Sequence, residues 1–144
     1  MDTPRSAEFE RALMENHSFG DTIATCMQQL PVLLTAKEAS WERYVLTTGK
    51  ADLAQYTEDN MRYQRTLDAL DEARRLYNAN AELVLLEHAA SVKAEGRPCD
   101  WETLSAWLAE LCPELEPARF ACLVSAGLEK MGDDDPVVLK LLIH

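Results

Sequence analysis

Glycine and proline are scarce in this chain, with five and six copies among 144 residues. That is too few for a loop-rich β-sandwich or a disordered, proline-rich tail. Positive charge is short as well: 14 Lys and Arg stand against 25 Asp and Glu, a net charge of −11. Such a surface repels phosphate backbones and anionic lipids, so no nucleic acid and no membrane is expected as a partner. Long apolar runs are missing. The longest stretch free of charged residues, 22–36, covers 15 residues and contains Gln28, Gln29 and Pro31. A membrane span needs roughly 20 mostly apolar residues. Cys26, Cys99, Cys112 and Cys122 form no CxxC, and no histidine lies at ligand spacing from them, which argues against zinc. The opening Met1-Asp2-Thr3-Pro4-Arg5 lacks the basic-then-apolar order of a secretory signal. The expectation is a cytoplasmic protein with four reduced, mostly buried thiols, no metal and no cofactor.

What is present is helical patterning. Apolar residues make up 47% and charged residues 27%, the balance of a soluble chain able to bury a core. Ser6 can cap a first helix with Phe9, Leu13 and Met14 on its apolar side. Gly20 and Asp21 are expected to break it, setting residues 1–20 apart as an N-terminal helical segment. From Thr22 to Thr48 two rows keep helical register: Ile23, Leu30 and Tyr44, with Lys37 as the charged intruder, and Met27, Leu34 and Trp41. Pro31 lies inside, so either two helices meet there or one helix kinks. Gly49 is the expected left-handed C-cap, and Asp52 with Gln55 the capping box of the next helix. That helix shows plain heptads. Leu53, Asn60, Leu67 and Arg74 form one row, and Tyr56, Tyr63, Leu70 and Tyr77 the other. Rows of this spacing make a coiled-coil-like seam for a facing helix, in which Asn60 would fix the register. At 1.5 Å per residue each segment is roughly 40 Å long. The short link between them predicts a long antiparallel α-hairpin over 22–78.

The remainder, 79–144, reads as four shorter helices over 81–95, 101–112, 117–131 and 136–143. Gly96 and Gly132 follow the first and third, Asp100 and Asp135 cap the second and fourth, and Pro117 and Pro136 fit first-turn positions. Landmarks recur at about 35 residues, and Leu104 and Leu108 return as Leu139 and Ile143. Two helix pairs at that period suggest tetratricopeptide-like stacking. The fold class expected is therefore all-α: a long antiparallel hairpin followed by two tetratricopeptide-like pairs.

Catalytic chemistry finds no support in the spacing. Asp133-Asp134-Asp135 reads as an acidic cap before Pro136, because the spaced oxygen ligands of a calcium loop do not follow. No GxSxG and no glycine-rich phosphate loop occurs, and His17, His88 and His144 lack a motif that would orient them as a base. The basic concentration of Arg62, Arg65, Arg74 and Arg75 reads as a salt-bridged face, with Glu58 four before Arg62 and Asp71 four before Arg75. The tyrosine rows and Trp101 and Trp107 read as core. One feature resists: of the last eight residues, Val137 to His144, six are strongly apolar. A helix apolar on most sides is either inserted in a core or covered by a partner.

Two stretches carry a resemblance. Cys112-Pro113-Glu114-Leu115-Glu116-Pro117-Ala118-Arg119-Phe120-Ala121-Cys122-Leu123 resembles the run into a later helix of the repeat-type chaperones of type III secretion systems. Tyr63-Gln64-Arg65-Thr66-Leu67-Asp68-Ala69-Leu70-Asp71-Glu72-Ala73 resembles the second helix of their hairpin co-chaperones. The resemblance covers about 22–143 and implies that a single chain carries both roles. It implies a non-enzymatic cytosolic chaperone or adaptor holding an amphipathic helix of a client protein, such as a needle subunit, in an apolar groove. Val84, His88, Ser91, Phe120, Leu123 and Ser125 are the groove candidates, extended by Leu139, Leu142 and Ile143. The acidic balance favours a client with basic flanks. Association with a second copy through the hairpin stays open. The alternative function is an acidic decoy that binds and inhibits a nucleic-acid-binding protein. A small helical enzyme or metal carrier ranks last.

Overall fold

Four helices account for nearly all of what the computed structural model describes, which is residues 6–97 and 99–130. They are α1 (Ala7–Thr47), α2 (Lys50–Ala94), α3 (Trp101–Leu111) and α4 (Pro117–Lys130), and no strand occurs among the described residues. The chain is all-α. The helix expected over 136–143, and with it Leu139, Leu142, Ile143 and the Asp133–Asp135 cap, lies outside the described residues.

Several ends fall where the local chemistry puts them. The Phe9 amide donates to Ser6 Oγ at 3.1 Å. Asp100 caps α3, its Oδ1 accepting from the Thr103 amide at 2.8 Å, and Pro117 opens α4. Gly96, at φ +69°, takes the left-handed position past α2, with its amide donating to the Lys93 carbonyl.

Other ends differ from expectation. No break occurs at Gly20–Asp21, since α1 runs through it. A Cβ there would lie 3.4 Å from Tyr77 Cε2 and 3.7 Å from Glu114 Cγ, ordinary contact distances, so neither backbone nor packing singles out glycine at this position. At Pro31 a single helix continues although the ring removes one amide donor. The segments expected as separate helices before and after residue 79 are one helix, α2. Asn78 and Asn80 do not end it, because Tyr77, Ala81, Val84, Leu85, Ala89 and Val92 continue one buried face past them. At the α1–α2 link the left-handed residue is Thr48, at φ 52°, rather than Gly49. Helix α2 already begins at Lys50, so Asp52 sits in its first turn and accepts from the Thr47 hydroxyl.

The helices contribute to two compact units, one of residues 21–75 and one of residues up to Gly20 together with those from Leu76 onward. In the second of these, Phe9, Ala12 and Val84 form a buried cluster with Leu13, Leu83 and Trp107 against it. Leu85, Leu104, Leu108, Val124 and Leu128 are fully buried. Gly127 lets α4 approach: a Cβ there would come within 2.8 Å of Leu104 Cδ2 and 3.3 Å of Leu85 Cδ2. Gly127→Val is therefore expected to cost about 1–3 kcal/mol through overpacking, read as a lower urea midpoint with unchanged slope.

Tyr77 is the largest fully buried side chain of this unit. Its hydroxyl accepts from the Glu114 amide at 3.1 Å, and its carbonyl accepts from Asn16 Nδ2 at 3.0 Å. Burial pushes the phenol up to about 12. Burial also raises the neighbouring Cys112 thiol. A raised folded pKa stabilises the neutral form, so the phenol's contribution is complete below its unfolded value of about 10 and is lost as pH climbs from 10 towards 12. The difference in unfolding free energy between wild type and Tyr77→Phe is expected to shrink over that window. Urea titrations at stepped pH check it, with Cys112 common to both chains.

In the unit of residues 21–75 burial is sparser. Ile23, Cys26, Ser40, Leu70 and Ala73 are its buried side chains. Arg74 Nη2 donates to Met27 Sδ at 3.3 Å, Lys37 Nζ stands 4.8 Å from the Tyr63 ring centroid, and the Trp41 and Tyr56 rings are 5.0 Å apart. Partner numbers rise on α1 as they fall on α2, so within this unit the two helix segments run in opposite directions. The polar contact that sets their register is Ser40 Oγ donating to Asp59 Oδ2 at 2.7 Å, in a site where Ser40 is 5% exposed. Asn60, assigned that task from its heptad position, lies half-buried in the other row of α2 instead. Arg62 pairs with Glu58 at 2.8 Å as its spacing predicts, whereas Arg75 pairs with Glu72 at 2.7 Å rather than with Asp71.

Candidate protein-binding face

The heptad rows of residues 21–75 divide by environment. On α1 the row Ile23, Leu30, Lys37 and Tyr44 is buried or half-buried, whereas Met27, Leu34 and Trp41 are 49, 38 and 47% exposed. On α2 Tyr56 and Tyr63 are half-buried and Leu70 is buried, whereas Leu53 is 42% exposed and Asn60, Leu67 and Arg74 are half-buried. On α1 the first row is thus the more buried and the second the more exposed, while on α2 the row ending in Leu70 is only moderately the more buried of the two.

The less buried rows of the two helices share a side. Arg74 belongs to one, Met27 to the other, and their side chains touch. Seven-residue spacing carries both rows along the same face from that contact. Trp41 packs on Tyr44 and Tyr56, with ring centroids 5.9 and 5.0 Å away. Lys37, Glu38, Trp41, Glu42 and Tyr56 line a groove of about 290 Å³ beside it. Val45 and Leu46 continue the apolar surface from Trp41, at 55 and 85% exposure. A second groove, lined by Gln28, Gln29, Val32, Leu33, Arg62, Arg65 and Thr66, is turned roughly 140° from Met27 around α1.

What such a face can do is exclude water from another apolar surface. Fully burying a Leu, Met or Phe side chain is worth about 1.5–3 kcal/mol, and these side chains are about half uncovered. Among the described residues no group of His, Cys, Asp and Glu could hold a metal ion. No helix among them is long and apolar enough to cross a membrane.

The groove expected from the later helices is placed differently. Val84 is fully buried in the Phe9–Ala12 cluster, and Leu123 is 3% exposed. Both are core, because they fall on the inward side of their helices, so neither presents surface to a client. His88 is half-buried with its ring stacked on Trp107 at 3.8 Å and 4°, and Ser91, Phe120 and Ser125 are half-buried. Leu139, Leu142 and Ile143 lie outside the described residues. Of the cysteines, all of which are free, Cys26 and Cys112 are buried, Cys99 is half-buried and Cys122 is exposed; the expectation of mostly buried thiols fails at Cys122, which lies on the solvent side of α4. The residues that form the bare face were visible in the sequence as rows and were read as seam. Nothing in the rows themselves separates them, since both kinds mix aliphatic, aromatic and polar members: Lys37 stands in a more buried row, and Asn60 and Arg74 in the other row of α2.

Comparison with protein-family models, with curated proteins and with solved structures finds no match to this chain.

Proposed function

We propose that this chain is a non-enzymatic protein-binding module, an adaptor or chaperone, whose helix pair over residues 21–75 receives an amphipathic helix of a partner protein. The observation that carries the reading is the exposed row of Met27, Leu34 and Trp41 on α1, continued by Val45 and Leu46, with Leu53 exposed and Leu67 half-buried on α2. A contiguous apolar surface on a polar chain marks an interaction site, and two rows at heptad spacing fit a third helix laid along them. The reading moves the docking surface from the later helices to the helix pair, since Val84 and Leu123 are core.

The finer form of this reading takes its client class from the resemblance to type III secretion chaperones. There the client is a self-assembling helical subunit whose apolar stripe must stay covered until hand-over, and covering it needs no cofactor. The test is binding of a synthetic amphipathic helical peptide to the full chain, followed by fluorescence anisotropy and by calorimetric melting. Binding to the native state raises the melting temperature by mass action. A chain that binds no such helix at micromolar concentration ends the proposal.

Charge distribution supports a second reading. Residues 21–75 hold nine carboxylates against seven Lys and Arg, so −9 of the net −11 belongs to the rest of the chain. An acidic decoy for a nucleic-acid-binding protein would use those remaining residues. Salt-sensitive competition with DNA for such a protein is its test.

A further inference from the structure

We infer a second docking surface on the helix pair of residues 21–75, turned away from Trp41, whose occupant is an acidic amphipathic helix of another protein. It does not rest on the reading of the Trp41 side. Its material is two grooves that meet. Lys50, Leu53, Met61, Arg62 and Arg65 line one, and Gln28, Val32, Leu33, Arg62, Arg65 and Thr66 line the other, so the two arginines belong to both.

Charge is segregated onto this surface. Of the seven Lys and Arg in the unit three line the two grooves, and of its nine carboxylates only Glu58 does. Glu58 is held by Arg62 at 2.8 Å. The other carboxylates between Lys50 and Thr66 are committed elsewhere. Asp52 accepts from the Thr47 hydroxyl, and Asp59 accepts from Ser40 and from Gln55. Lys50 and Arg65 are exposed and enter no ion pair among the described residues.

The α1 wall supplies an independent observation. Residues 22–36 hold no charged side chain in a chain that is 27% charged, yet most of them are exposed, Val32 at 68%. The solvent side of a helix is ordinarily where charge collects. Its depletion marks the centre of a protein interface.

Length and sign describe the occupant. From Lys50 to Thr66 the tract runs about 24 Å along α2, more than four turns. A helix laid along it fills that length, and a small molecule does not. Beyond the tract Asp68 follows and then Glu72, which Arg75 holds, so the basic reach has a definite end. In a symmetric dimer the tract would meet itself, cation against cation. A helix that lays apolar side chains on Val32, Leu53 and Met61 and carboxylates beside Lys50 and Arg65 meets opposite charge. Such complementarity selects the partner and its register more than it adds raw affinity.

The experiment uses the full chain and two synthetic helical peptides with an identical Leu/Ile stripe, bordered by Glu in one and by Gln in the other. Anisotropy titrations at low salt should give the Glu-bordered peptide an advantage of about tenfold. The advantage should fade at about 0.5 M salt, where the Debye length is only a few ångströms. Lys50→Gln combined with Arg65→Gln should abolish it, with unchanged circular dichroism because both side chains are exposed. Arg11→Gln combined with Lys93→Gln removes the same charge from the other unit and should leave the advantage intact. Equal affinity for the two peptides in the wild type overturns the inference. So does an equal loss in the two double variants, which would make the effect one of net charge. A concentration-dependent dimer in sedimentation, dispersed by Lys50→Gln with Arg65→Gln, makes a second copy the occupant and also overturns it.

Discussion

Tyr77→Ala is expected to lower the unfolding free energy by about 3–5 kcal/mol, the range for truncating a large buried aromatic. Three independent contacts converge on this residue. Its ring is 2% exposed and lies within van der Waals reach of Gly20. Its hydroxyl satisfies the Glu114 amide, and its backbone carbonyl takes the amide of the buried Asn16. Removing the ring leaves a cavity bordered by the first helix and by the segment after α3. The Asn16 contact survives, because it is made to the main chain. A domain of this size holds only about 5–15 kcal/mol in total, so a large share of its stability rests on one side chain. Urea unfolding followed by far-UV dichroism measures the loss. Tyr77→Phe should lose about 1 kcal/mol, because it keeps the packing and gives up a single neutral hydrogen bond. A loss below 1 kcal/mol for the alanine variant would mean that the unit closes over the gap and that Tyr77 is not its keystone.

The second large effect concerns binding. Leu34→Glu combined with Trp41→Glu is expected to weaken capture of an amphipathic helical peptide by about a hundredfold or more, which corresponds to about 2.7 kcal/mol. Trp and its apolar neighbours at the centre of a docking surface commonly carry that much, and each new carboxylate would be buried without a partner. The effect on folding should be small by comparison. Leu34 and Trp41 are 38 and 47% exposed. The loss falls mainly on the contacts of Trp41 with Tyr44 and Tyr56, worth about 1 kcal/mol. Anisotropy titrations and thermal melts separate the two quantities. Val84→Ala supplies the contrast: as a core residue it should lower the melting temperature and leave peptide affinity unchanged. The opposite pattern would return the docking surface to the later helices.

The contrast between Val84 and Trp41 shows how far the amino-acid order could be read. Helical class, the Asp100 and Ser6 caps, the opening Pro117 and the left-handed Gly96 all depend on neighbours a few residues away, so they were legible. Gly20 and Asp21 carry the local chemistry of a break, yet the helix continues through them. Asn78 and Asn80 carry the chemistry of a helix end, and the buried face continuing from Tyr77 to Val92 overrides it. The heptad rows were legible as rows. Which row of each pair is the more buried was not, since either choice makes a plausible seam; the structure chose the rows holding Lys37 and the tyrosines. Arg75 had a carboxylate at both i−3 and i−4, and side-chain geometry alone decided for Glu72.

The single Ser40–Asp59 contact has a consequence for how such a chain can change over time. Rows that repeat every seven residues would look the same after a slide of two turns, so aliphatic packing by itself tolerates several alignments. A buried hydroxyl at Ser40 that reaches the Asp59 carboxylate across the pair works against such a slide. Aliphatic positions along the pair are then free to drift towards different partners' shapes while the two strands of the device stay in step, provided Ser40 and Asp59 are kept.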